Sequence, residues 1–87
     1  MPAAPTNLGL VPDAVSRARL VSRIEIEARA YRNAHYTTRD MRMGRVLGLL
    51  EAGAVLGYWS LRRAGGVSEA VRCGLPVWRV RRMLARL

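Results

Sequence analysis

The chain has 87 residues, 51% of them hydrophobic, with fifteen basic residues against six acidic ones, a formal net charge of +9 and an isoelectric point near 11.6. The apolar content excludes wholesale disorder, and the length allows one small domain with a thin stability margin, for which dimerisation or a partner is expected. The positive charge points to a polyanionic partner, most simply nucleic acid. All fifteen basic residues are arginine, which fits the codon usage of a GC-rich bacterium or its phage and supplies planar, bidentate donors.

Residues 1–11 contain Pro2, Pro5, Asn7 and Gly9 without periodicity and read as a flexible arm. They lack the charged start and apolar run of a secretory signal. Pro12 and Asp13 suit the first turn of a helix, and Ala14, Ala18, Val21, Ile24, Ala28 and Tyr31 make an apolar stripe that predicts a helix over 12–33. Ile24 to Tyr31 also alternates with period two, as a half-buried strand would, but its Ala, Glu and Arg residues favour helix.

After a connection at 33–36, Thr37 to Asp40 resembles a capping box. It opens a second predicted helix with Met41, Val46, Leu47, Leu49 and Leu50 inward and an end near Gly53. The apolar stretch 46–61 is short for a membrane span and interrupted by Glu51, Gly53 and Gly57, so it reads as buried core. A third helix is expected over 54–63, with Val55, Tyr58, Trp59 and Leu61 packing inward. Ala64-Gly65-Gly66 then reads as a break, and Ser68 as a starting residue for the next helix.

Residues 67–87 read as helix, tight turn, helix. Val67, Ala70 and Val71 share one face, Gly74-Leu75-Pro76 interrupts, and Val77, Val80, Met83, Leu84 and Leu87 recur on one face of the last helix. The expected fold is therefore an all-α bundle of four to five helices in a single domain, 12–87.

Gly74-Leu75-Pro76 with Val80, Arg82, Leu84, Ala85 and Leu87, and Arg45-Val46-Leu47, Leu49, Leu50 and Glu51 upstream, resemble the helical core of bacterial helix-turn-helix repressors, closest to the DNA-binding domain of the IclR family. The resemblance spans about 45–87 and lacks the β-hairpin wing; Glu69 stands where an apolar residue usually precedes the small alanine. It implies a small bacterial or phage regulator, or a factor organising a DNA site, that inserts the C-terminal helix into the major groove of double-stranded DNA. Val77, Trp78, Arg81 and Arg82 would approach base edges, and Arg62, Arg63, Arg72, Arg79 and Arg86 would reach phosphates. A single recognition helix binds weakly, so a homodimer through the 12–33 helix is expected, acting in the cytoplasm at the nucleoid. The same Trp and Arg surface also suits a protein partner such as the transcription or replication machinery.

Nothing in the chain argues for catalysis. His35 is the only histidine and reads as a loop residue. Cys73 is the only cysteine and reads as a small buried side chain, so neither a metal cluster, a Cys-His pair nor a cofactor is expected. Glu25 and Glu27 are both expected in surface ion pairs. The glycines lack the Lys-Ser/Thr continuation of a phosphate loop.

Overall fold

A computed structural model describes residues 14–87, which form four α-helices and one short 3-10 turn without a strand. The expected 1–11 arm and the helix start at Pro12 and Asp13 lie outside the described residues. The elements are α1 (Ala14–Arg32), the 3-10 turn (Tyr36–Thr38), α2 (Arg39–Val55), α3 (Leu61–Arg72) and α4 (Val77–Ala85). Helix α1 packs along α2 and against α4, while α3 bridges α2 and α4. Every helix sends a fully buried side chain to the centre: Ile24 from α1, Val46 and Leu50 from α2, Val67 from α3 and Leu84 from α4.

On α1 the strand alternative is not realised. The buried face is Ile24, Glu27, Ala28 and Tyr31, whereas Ala14 and Ala18 of the predicted stripe are exposed because no described element packs over them. Glu27 is not a surface residue. It is 5% exposed, with Oε2 3.4 Å from Arg23 and Oε1 3.9 Å from Arg42.

The capping box at 37–40 does not form. Thr38 makes no side-chain cap to α2; instead His35 caps the 3-10 turn, its Nδ1 accepting from the Thr37 amide at 3.3 Å. Helix α2 buries Met43, Val46, Leu50 and Gly53 and runs to Val55 rather than ending near Gly53. Met41 and Leu47, expected inward, are exposed. At roughly 100° per residue Met41 stands about 180° from Leu50, so one straight helix cannot bury both against one neighbour.

Beyond the end of α2 at Val55, Gly57, at a φ of 85°, lets the Gly57 and Tyr58 amides donate back to Ala54 and Gly53. The helix expected over 54–63 is therefore absent, and Val55 and Leu61 are exposed, while Tyr58 is half-buried. Trp59 does enter the core. Its Nε1 donates to the Leu50 carbonyl at 2.8 Å, and its ring lies on Gly53, where any Cβ would overlap the indole.

Ser60, not Ser68, starts α3, its Oγ accepting from the Arg63 amide at 3.1 Å. The helix runs straight through Ala64-Gly65-Gly66. Each interior glycine costs about 1 kcal/mol, but both face solvent while Ala64, Val67, Ala70 and Val71 bury one continuous stripe, and that burial outweighs propensity. Among the described residues no helix is long and apolar enough to cross a membrane.

Candidate nucleic-acid interface

The α3–turn–α4 unit is built by local chemistry. Gly74, at φ 77°, closes α3 by donating its amide to Val71, while the Leu75 amide donates to Ala70, which satisfies the last carbonyls of the helix. Pro76 then holds extended backbone at the start of α4 and accepts from the Arg79 and Val80 amides. Cys73, expected buried, sits exposed at this turn with its thiol donating to Glu69 over 3.6 Å, because it caps the helix rather than lying on its inner stripe.

Two charged contacts from α1 hold this unit in place. Arg32 Nη1 donates to the Leu75 carbonyl in the turn at 2.9 Å. Arg81 donates to both carboxylate oxygens of Glu25, at 3.1 and 2.8 Å, a bidentate pair joining α4 to α1. The Arg81 hydrogen bond and charge, with Arg29 adding a further positive charge 3.6 Å away, hold the Glu25 carboxyl below the ordinary glutamate range; partial burial opposes this. Glu25 in turn raises the Arg81 guanidinium above its ordinary value.

Arg81 is exposed, as the sequence suggests, but its guanidinium is held by Glu25 rather than left free for a partner. Around α4, at about 100° per residue, it lies only about 40° from Val77 and on the flank nearest α1. The residues pointing away from the core are Trp78, Arg79, Arg82 and Arg86, which span an arc of about 100°. All four are exposed, Trp78 by 57%, whereas Val77 is half-buried.

These four side chains and Met83 line a shallow groove of about 310 Å³. Met83 and Arg86 also line an adjoining cleft of about 350 Å³ that adds Arg63 from α3. Five of the nine predicted contact residues thus meet on one surface: Trp78, Arg79, Arg82, Arg86 and Arg63. Arg62 and Arg72 are exposed on α3 but line neither groove.

None of Arg62, Arg63, Arg72, Arg79, Arg82 and Arg86 forms an ion pair among the described residues. The surface keeps its full positive charge, with an aromatic face at one end. Such an arrangement can bind phosphate oxygens bidentately and stack on, or lie against, a base or sugar. Sequence reasoning missed the two residues that orient it, Glu25 and Arg32. Helical period places Arg81, four residues after Val77 and three before Leu84, beside the buried face, but nothing in residue order names Glu25 as its partner. Compared with known proteins, the chain matches no family model, no curated protein and no solved structure.

Proposed function

We propose that this chain is a small helix-turn-helix protein that binds double-stranded DNA with α4 in the major groove. The observation that carries this reading is the unneutralised cluster of Arg79, Arg82 and Arg86 beside exposed Trp78 on the outer face of a helix that follows a glycine-closed turn. Arg82 and Trp78 face base edges, and Val77 borders them. Arg79, Arg86 and Arg63 lie at the phosphates, with Arg62 and Arg72 extending the contact along α3. Arg81 serves instead as the clamp that fixes the angle of α4 on α1.

A recognition helix of nine residues offers few contacts, so two copies on adjacent half-sites, about 34 Å apart, give the affinity a regulator needs. The protein would act by occupancy at a promoter, a recombination site or a packaging site, as a bacterial or phage factor at the nucleoid.

The test is a titration against random duplex DNA, DNA upstream of its own gene and single-stranded RNA at about 50 and 200 mM salt. Five phosphate contacts predict a slope of about −4 to −5 in log affinity against log salt, or roughly a 500-fold loss across that range. Upstream DNA should be bound tightest. A flat salt response with no preference for duplex DNA would overturn the reading and turn attention to a protein partner for Trp78.

A further inference from the structure

Helix α4 aims one arginine straight away from the core. Its two buried side chains are Val80 and Leu84, 2% and 0% exposed. At about 100° per residue, Arg82 stands about 160° from each of them; Trp78 and Arg86 lie about 40° to either side of Arg82, and Arg79 about 60°. Arg82 is exposed and forms no ion pair among the described residues.

The two flanks of Arg82 differ. Arg79 and Arg86 lie on the side of α3, where Met83 and Arg86 share a cleft with Arg63. Trp78 lies on the side of α1, where the neighbouring Arg81 is held by Glu25 at 2.8 Å. One flank of α4 is therefore cationic, and the other carries an indole that is 57% exposed.

A helix with its side chains is about 10–12 Å across and the major groove is about 12 Å wide, so a helix seated there points one line of residues at the base edges and its flanks at the groove walls. On α4 that line centres on Arg82. A guanidinium only donates hydrogen bonds, and guanine is the one base whose major-groove edge presents two acceptors, N7 and O6, without a donor. The planar fork of Arg82 therefore matches guanine at both points and no other base. Trp78 lies one turn earlier, about 6 Å along the axis, or two base steps of about 3.4 Å each. Its ring is apolar, and the apolar group on a major-groove edge is the C5-methyl of thymine.

We propose, resting on the DNA-binding function above, that these two side chains set the sequence it recognises: Arg82 takes a guanine, and Trp78 takes a thymine within two base pairs of it. Arg79, Arg86 and Arg63 then meet phosphates on the α3 side and add affinity without sequence preference.

Selection from a pool of randomised duplexes by the full chain tests this, followed by affinities on the enriched site. Enriched duplexes should share a guanine with a thymine no more than two pairs away. Replacing that guanine with 7-deazaguanine, which removes the N7 acceptor, should weaken binding about tenfold. Replacing the thymine with uracil, which removes only the methyl, should weaken it about fourfold. Arg82→Gln should move the preference from guanine to adenine, because a glutamine amide both donates and accepts and so pairs with adenine N6 and N7. The position is exposed, so helical circular dichroism should not change. Duplex binding without enrichment, enriched sites lacking a shared guanine, or an Arg82→Gln protein that keeps selecting the wild-type sites would overturn the role of Arg82 and leave duplex binding standing. Equal affinity for thymine and uracil sites would overturn the role of Trp78. A chain that binds no duplex overturns the DNA-binding function itself, and this assignment with it.

Discussion

The two ends of the chain hold nearly equal numbers of arginines, eight in residues 1–59 and seven in 60–87, but among the described residues three of the eight meet an acid against one of the seven. In α1 and α2 the glutamates Glu25 and Glu27 take up Arg23, Arg29 and Arg42. Among the described residues, only Arg81 of α3 and α4 finds an acid, and that acid is Glu25, supplied from α1. The remaining six arginines of the C-terminal part have no acid partner among the described residues, and four of them gather around Trp78 and Met83. Net charge belongs to composition, but an interface depends on which charges are left over and brought together. The two tryptophans divide in the same way. Trp59, 6% exposed, spends its indole N–H on the Leu50 carbonyl, whereas Trp78 offers its ring to solvent beside arginines.

The largest expected effect tests whether the tryptophans have separate roles. Trp59→Ala should destabilise the fold by about 3–5 kcal/mol through the cavity it leaves, read as a lower urea midpoint. Trp78→Ala should leave that midpoint within about 0.5 kcal/mol of wild type and weaken binding to DNA.

Next comes the arginine contrast. Arg79→Ala with Arg82→Ala and Arg86→Ala should reduce duplex affinity roughly 100-fold or more at about 0.1 M salt and flatten the salt slope by about 2. Arg19→Ala, on the exposed side of α1, should leave that slope unchanged. If the slopes respond equally, the C-terminal cluster is not the interface.

A smaller effect is expected at the turn. Gly74→Ala places a Cβ at φ 77° and should destabilise by about 1–2 kcal/mol, measured by thermal or urea unfolding.

The smallest effect concerns the contact between the two parts. Because the folded Glu25 carboxyl lies below its ordinary range, its pairing contributes stability at pH values above that range. The contribution is lost as pH falls through the lowered value. Glu25→Gln should therefore be less stable than wild type near neutral pH, and the gap should close in acid. Unfolding midpoints measured against pH check this, and a gap that widens in acid would show that the Arg81 contact does not stabilise the fold.

Much of the candidate surface was legible from residue order. Gly74 as the helix stop, Pro76 at the next start, and Val80, Leu84 and Leu87 as an inner face all follow from turn chemistry and helical period, and they leave Trp78, Arg79, Arg81, Arg82 and Arg86 outside. The helix boundaries between 54 and 68 were not legible. Ala64-Gly65-Gly66 looks like a break by propensity, yet it sits inside α3 because Ala64 and Val67 are buried against the rest of the bundle. Gly53 looks like a stop, yet it is a seat for the Trp59 ring.

The sequence by itself determined the helical class, the turn at Gly74 and the concentration of positive charge in the last third, because each rests on interactions that reach only a few residues along the chain. Tertiary structure alone decided that Arg81 belongs to Glu25, that Arg32 holds the turn, and that Glu27 is buried. Glu25 and Arg81 are 56 positions apart, Arg32 and Leu75 are 43, and no local preference encodes either contact. Both arise only when packing of the apolar stripes brings α1, the turn and α4 together, and that packing leaves the other arginines of α4 to face outward.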